Sequence, residues 1–123
     1  MNKVYLVSAK RSAIGSMLGT LKDLSPTYLG AQVLTAALAE GGVKAEWLDE
    51  VVVGNVLPAG VKQGPARQVA IGAGVPVTTP AYSINMVCGS GMKAVMNATV
   101  AIRSGAADLI AAGGTEVMSG APY

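Results

Sequence analysis

One cysteine and the residues that follow it are the part of this chain best suited to chemistry. Cys88 is the only cysteine among 123 residues and stands in the run Cys88-Gly89-Ser90-Gly91. A thiolate is a strong nucleophile. Glycines lack a Cβ, so a substrate can approach the main chain closely and its N–H groups can stabilise an oxyanion. The run therefore fits acyl transfer through a thioester on Cys88.

The flanking residues place Cys88 between a strand and a helix. Residues 81–85 form an apolar, strand-like run, and a helix-forming run extends over residues 89–104. Ligands of open α/β folds usually lie at the carboxyl ends of parallel strands. The first N–H groups of a helix lack partners within the helix, and their partial positive charge favours a thiolate. We expect Cys88 to lie at such a junction.

A structural interpretation of the same residues stands beside the chemical one. A free cysteine is among the most buried residue types and usually behaves as a small hydrophobic residue. The neighbouring glycines would then serve only tight packing of a helix on a sheet. The spacing alone favours neither interpretation over the other.

Three charged residues are further candidates, and a structural role is favoured for each. Glu116 is a candidate general base, although a loop glutamate is more often structural. Arg67, in the first turn of a short helix, fits a phosphate or dimer contact, but such an arginine is more often solvated or locally paired. Lys93 is placed to steer an anionic substrate, yet it lies on the polar stripe of its helix.

The composition indicates that part of the surface is covered by further protein. Charged residues make up 13% of the chain, against about 25% in a typical domain, and none occurs in residues 68–92. We infer a missing partner or a missing continuation. The net charge of +2 and the five aromatic residues argue against nucleic-acid binding.

Other function classes are excluded by what the sequence lacks. With no histidine and one cysteine, the chain has no recognisable zinc spacing and no internal disulfide. We therefore expect no metal site and no permanently bound cofactor. The apolar segments are interrupted well short of the ~20 residues of a bilayer span, and no signal-peptide pattern precedes the first strand. The expected protein binds no membrane and is cytoplasmic.

Strand and helix patterns alternate along the chain. Ser25, Pro26 and Gly41-Gly42 suit the N-cap, the first position and the end of a helix. The β-branched run at residues 50–54 favours a strand. The predicted strands span residues 4–8, 50–54, 81–85 and 109–112. The predicted helices span residues 26–41 and 89–104, and a shorter helix begins at residue 65 and ends by residue 72 or 74. This order indicates an α/β fold.

Four stretches of the sequence are similar to those of one enzyme family. Residues 85–95 (NMVCGSGMKAV) resemble the acyl-enzyme cysteine motif of the thiolases, and specifically of the acetyl-CoA C-acetyltransferase type. Three further stretches match the same family, namely residues 11–15 (RSAIG), 54–57 with 65–68 (GNVL and PARQ) and 113–119 (GGTEVMS). The similarity covers essentially the whole chain in the same order.

The resemblance implies a fold, a reaction and a role for Cys88. The fold is the thiolase-like α/β layer fold of βαβαβαβ order with a mixed sheet. The reaction is the Claisen condensation of two acetyl-CoA molecules to acetoacetyl-CoA, or the reverse thiolysis. Cys88 is the nucleophile that forms the acyl-thioester intermediate, and its backbone N–H contributes to the oxyanion hole. Coenzyme A thioesters are the substrates, and a homodimer or homotetramer is expected.

The chain also departs from the family. The resemblance implies that the activating histidine, a second cysteine, further oxyanion donors and the CoA-binding loop lie in later segments, none of which is present. We therefore interpret residues 1–123 as an incomplete N-terminal thiolase domain whose partner is the remainder of the chain or a complementary chain. Alone it is expected to be inactive. The alternatives are a β-ketoacyl synthase-like enzyme that uses acyl carrier protein, and a non-catalytic assembly fragment.

Overall fold

Three strands and three α-helices alternate along most of the chain in the computed structural model, which describes all 123 residues. The helices are α1 (Pro26–Gly41), α2 (Pro65–Gly72) and α3 (Ser90–Arg103), and the strands are β1 (Glu50–Gly54), β2 (Ala81–Ile84) and β3 (Ile110–Gly114). Two short 3₁₀ turns lie at Ala45–Trp47 and Met118–Gly120. The α/β class predicted from the sequence is confirmed.

The strands form one parallel sheet with β1 in the middle. The order is β2-β1-β3, and Val52 lies opposite Tyr82 on one side and Ala112 on the other. Because all three strands run in the same direction, their carboxyl ends meet at one edge of the sheet. This is the edge to which Cys88 was assigned by the sequence.

Helices cover both faces of the sheet. Val51 and Val53 point to the side of α1 and α2, where they join the main apolar core with Val69 and Ala70. Helix α3 packs on the opposite face, against β1 and β3. Its buried residues Ala94 and Ala98 are small, which allows the helix to lie close to the strands. The result is a three-layer arrangement with a thin core.

Local sequence signals explain where α1 begins and ends. The Ser25 hydroxyl accepts a hydrogen bond from the Tyr28 N–H at 3.0 Å, and Pro26 occupies the first helical position. Gly42 ends the helix with φ = 61°, a conformation that costs glycine little. These are the cap residues predicted from the sequence.

The predicted strand at residues 4–8 is wrong. No backbone group of this segment pairs with the sheet, and the Ser8 hydroxyl instead donates to the Ala37 carbonyl of α1 at 2.7 Å. A cleft of about 380 Å³ separates Leu6 and Ser8 from Ala111 and Ala112 of β3. An extended segment becomes a strand only when a neighbouring strand takes its hydrogen bonds, and here none is within reach.

The mixed sheet implied by the resemblance is also not formed. Only parallel pairs occur, between β1 and each of its two neighbours. The physical reason is the same, because an antiparallel strand would need a further segment along an open edge of the sheet. Of the predicted mixed sheet, these residues therefore form only parallel strands.

A hydrogen-bonded carboxylate fixes the start of β3 beside β1. Asp49 Oδ2 accepts the backbone N–H groups of Asp108 and Leu109 at 2.7 and 3.0 Å. These bonds stabilise the ionised form and lower the pKa of the Asp49 carboxyl group from its ordinary value. They set the register of the two strands at their amino ends.

The surface is unusually apolar, as the low charge content predicted. Large apolar side chains exposed over half or more of their area occur in the amino-terminal segment, for example Leu6 and Ile14, and on and just before α3, for example Val87, Met92 and Val100. None of the helices has both the length and the apolar character required to cross a membrane.

Candidate active site

Cys88 is exposed at the mouth of a cleft where the carboxyl ends of the strands meet. The cleft has a volume of about 590 Å³, and Cys88 is a free, exposed thiol. The lining residues come from the ends of β1 and β3, from the segments that follow all three strands and from the start of α3. They are Gly54, Val56, Leu57, Val87, Cys88, Ser90, Gly91, Gly114, Thr115, Glu116, Met118 and Tyr123. Cys88 is therefore not the buried residue that the structural interpretation expected.

The turn that carries Cys88, residues 85–89, has an unusual backbone. Val87 has φ = 49°, a left-handed conformation that is rare for a β-branched residue. Two side chains hold it: Asn85 Oδ1 accepts the Val87 N–H at 2.9 Å, and the Ser90 hydroxyl donates to the Val87 carbonyl at 2.6 Å. The same hydroxyl accepts the Met86 N–H at 2.8 Å. We call residues 85–89 the cysteine turn.

The start of α3 determines which N–H groups remain available to an oxyanion. The helix begins at Ser90 with Gly89 as its N-cap, and the N–H groups of Gly89 and Ser90 donate within the turn, to Met86 and Val87 carbonyls at 3.1 Å each. No main-chain hydrogen bond takes the N–H of Cys88 or Gly91. The candidate oxyanion donors are thus the N–H of Cys88, which the resemblance implies, and the N–H of Gly91.

Three glycines let α3 approach the sheet behind the cleft. A Cβ on Gly54 would lie 2.5 Å from the Ser90 carbonyl carbon and 2.7 Å from the Gly91 nitrogen. A Cβ on Gly114 would lie 3.2 Å from the Gly91 Cα. The carboxyl ends of β1 and β3 are therefore in backbone contact with the first turn of α3. This contact sets the distance of Cys88 from the sheet.

Glu116 joins the loop between β1 and α2 to the segment after β3 by hydrogen bonds. Its carboxylate accepts the Val56 N–H at 2.7 Å, the Leu57 N–H at 3.2 Å and the Asn55 amide at 3.0 Å. The Asn55 amide also donates to the Thr115 carbonyl at 3.0 Å. A carboxylate with three donors fits the structural interpretation of Glu116 better than the general base.

Comparisons with known proteins place this geometry in a family. Residues 4–123 match the family described as "Thiolase, N-terminal domain". The chain belongs to the thiolase family. An acetyl-CoA acetyltransferase of Cupriavidus necator is 52% identical over 123 residues, which cover 100% of this chain and 31% of that protein. A mitochondrial acetyl-CoA acetyltransferase of Danio rerio is 46% identical, with 100% and 29% covered.

A solved thiolase structure has the same fold. The crystal structure of the Acat5 thiolase of Ascaris suum in complex with coenzyme A aligns with a TM-score of 0.94 at 39% identity, over 96% of this chain and 31% of that one. The thiolase chain described here thus spans about a third of the length of the relatives that it matches.

Two of the charged candidates lie away from the cysteine of this thiolase segment. The Arg67 guanidinium donates from Nη2 to the Thr79 carbonyl at 2.9 Å, so it is locally paired. Lys93 is half-buried and makes neither a side-chain hydrogen bond nor an ion pair; the ion pair present joins Lys10 and Glu40. Neither lines the cleft of Cys88.

Sequence reasoning missed the residues that shape the cysteine turn. Asn85 and Ser90 make the hydrogen bonds described above, and Asn55 in the facing loop, also missed, donates to Glu116. One signal was available, because an asparagine accepting the N–H two residues ahead is a common turn motif. No sequence signal indicated the left-handed conformation of Val87, since valine is unusual at such a position.

Proposed function

We propose that this thiolase segment supplies the nucleophile of an enzyme that condenses two acetyl-CoA molecules to acetoacetyl-CoA and runs the reverse thiolysis. The observation that carries the proposal is Cys88, an exposed thiol on a cleft of about 590 Å³ beside backbone N–H groups without main-chain partners. The acetyl-CoA acetyltransferase names of the relatives and the coenzyme A in the Ascaris suum complex support the substrate class.

The first half-reaction is acyl transfer to Cys88. The Cys88 thiolate attacks the acetyl carbonyl, the bond from that carbon to the sulfur of coenzyme A breaks, and the departing thiolate takes up a proton. The negative charge that develops on the carbonyl oxygen needs donors that are already in place. We assign this task to the N–H of Cys88, with Gly91 as the neighbouring donor on the cleft.

The second half-reaction forms the carbon–carbon bond. A second acetyl-CoA loses an α-proton, its carbanion attacks the acetyl carbonyl on Cys88, and the bond from carbon to the Cys88 sulfur breaks as acetoacetyl-CoA leaves. This chain contains no histidine. We therefore assign the proton transfers and the grip on coenzyme A to residues outside these 123 positions, in a continuation or a complementary chain.

Assembly and compartment are part of the proposal. The outer edge of β2 has no neighbouring strand, and Tyr82 and Met86 beside it are exposed over 38% and 48% of their area. These features support a homodimer or homotetramer assembled at this edge. We also propose a cytoplasmic location; the relatives include a cytosolic enzyme of Gibberella zeae and mitochondrial ones.

The test uses an enzyme of full length. Residues 1–123 are joined to the part of the Cupriavidus necator relative that follows its matched segment, and we call this fusion the restored enzyme. It is expected to cleave acetoacetyl-CoA with coenzyme A, whereas the 123-residue chain alone is expected to be inactive. The assay follows loss of the acetoacetyl-CoA absorbance, with the intact relative as the positive control.

Two results would contradict the proposal. One is a folded restored enzyme that has no thiolytic activity while the intact relative is active. The other is faster turnover with an acyl carrier protein thioester than with coenzyme A thioesters, which would favour the β-ketoacyl synthase alternative.

A further inference from the structure

Hydrogen bonds connect the cysteine turn to the loop on the opposite side of the cleft. Val56, in that loop, has both of its main-chain polar groups held by side chains. Glu116 accepts its N–H at 2.7 Å, and the Asn85 amide donates to its carbonyl at 3.3 Å. Val56 therefore joins a residue after β3 to a residue after β2.

The connection continues to the residue that precedes the nucleophile. Asn85 uses its amide nitrogen on Val56 and its amide oxygen on the Val87 N–H, at 2.9 Å. Val87 is covalently followed by Cys88. The route thus runs from Glu116 through Val56, Asn85 and Val87 to Cys88.

The backbone of Val87 has an unfavourable conformation that this route helps to maintain. A β-branched residue at φ = 49° is in an unfavourable conformation, and such conformations persist only where the surroundings enforce them. Asn85 holds the Val87 N–H, while the Ser90 hydroxyl and N–H hold the Val87 carbonyl. Without the hydrogen bond to Asn85, the amino side of Val87 is no longer fixed, and its φ angle can relax towards ordinary values. That rotation would turn the Cys88 N–H and its side chain away from their present directions.

We infer that Glu116 and Asn85 are positioning residues for acyl transfer by Cys88, acting through the main chain of Val56 and Val87. The inference rests on the proposed function. Both residues hold the N–H and sulfur of Cys88 in the geometry that the reaction needs. Neither is assigned a proton transfer.

Substitution of the two residues in the restored enzyme tests this inference. Glu116→Gln keeps the shape but replaces one accepting oxygen by a donating NH₂ group. Either Val56, which donates to Oε1, or Leu57 and Asn55, which donate to Oε2, then lose their partner. Asn85→Ala removes two of the three hydrogen bonds of the route, those to Val56 and to Val87. Each change is expected to lower kcat by about 10-fold or more, since small displacements of reacting groups have effects of this size. The KM is expected to stay within about twofold.

The double variant separates a shared route from independent effects. If Glu116 and Asn85 act through the same contacts, the kcat of the double variant is expected to be no more than about threefold below that of the less active single variant. Asn85→Ser, whose hydroxyl can still accept the Val87 N–H, is expected to recover part of the lost kcat. Glu46→Gln, in a 3₁₀ turn, and Asn97→Ala, in the middle of α3, alter residues that do not line the cleft. They are the matched controls and are expected to leave kcat unchanged.

A second readout does not depend on thiolase activity. The rate of alkylation of Cys88 by iodoacetamide at pH 7 is measured by peptide mass mapping, without substrate, in the restored enzyme and in the 123-residue chain. Glu116→Gln and Asn85→Ala are each expected to slow it by about threefold or more. If the restored enzyme is inactive, this rate still tests the route, so failure of the function and failure of the inference are distinguishable.

Two outcomes would overturn the inference. The first is unchanged kcat and unchanged alkylation in both single variants. The second is a loss of thermal stability that accounts for the lost activity, with effects that multiply in the double variant and normal alkylation of Cys88 in the folded fraction. That pattern would mean that the two residues only stabilise the fold.

Discussion

The Cys88→Ser change is expected to lower the turnover of the restored enzyme by about a thousandfold or more. A serine hydroxyl is a far weaker nucleophile than a cysteine thiolate at neutral pH, because it stays protonated until a base removes its proton during the attack. Because Cys88 is exposed, the change is not expected to alter stability. The measurement is acetoacetyl-CoA thiolysis, with thermal unfolding of both proteins.

A serine at the far end of the same helix provides the control. Ser104 follows α3, and its hydroxyl donates to the Ala101 carbonyl at 2.9 Å. Ser104→Ala is expected to leave turnover unchanged. If the Cys88→Ser enzyme retained a tenth or more of the parent rate, Cys88 would not be the nucleophile.

The Gly54→Ala change is expected to destabilise the 123-residue chain by about 3 kcal/mol or more, the upper part of the range for overpacked sites. The new Cβ would lie 2.5 Å from the Ser90 carbonyl carbon and 2.8 Å from the Ser90 Cβ. These atoms belong to the first residue of α3 and cannot move without shifting the helix. The measurement is the free energy of unfolding in urea, and in the restored enzyme a fall in kcat is expected as well.

Gly113 offers a matched control in the neighbouring strand. A Cβ on Gly113 would meet no atom within 4 Å, so Gly113→Ala is expected to change the unfolding free energy by no more than about 0.5 kcal/mol. Equal stability of the Gly54→Ala and Gly113→Ala chains would contradict the close packing of α3 on the sheet.

The sequence predicted those parts of the fold that depend on local signals. Ser25, Pro26 and Gly42 bound α1 because capping is decided within a few residues. The run Val51–Val53 forms the central strand because it is apolar on both faces, as a buried parallel strand requires. The junction at Cys88 followed from the order of these elements.

The errors arose where distant segments decide the structure. Residues 4–8 have a strand pattern, but pairing depends on a neighbour that the pattern cannot reveal. A structural role was favoured for Glu116, but its partners could not be named, because its three donors come from residues 59 to 61 positions earlier in the chain. The left-handed Val87 is imposed by Asn85 and Ser90 and contradicts its own preference.

The most direct test of the central claim is to locate the acyl group. The restored enzyme is exposed briefly to acetyl-CoA, denatured, and analysed by intact mass and peptide mapping, beside its Cys88→Ser variant. We predict a single acetyl group on the peptide that contains Cys88 and none on the variant. An acetyl group on another residue, or turnover without any acetyl group on Cys88, would contradict the assignment of Cys88 as the nucleophile.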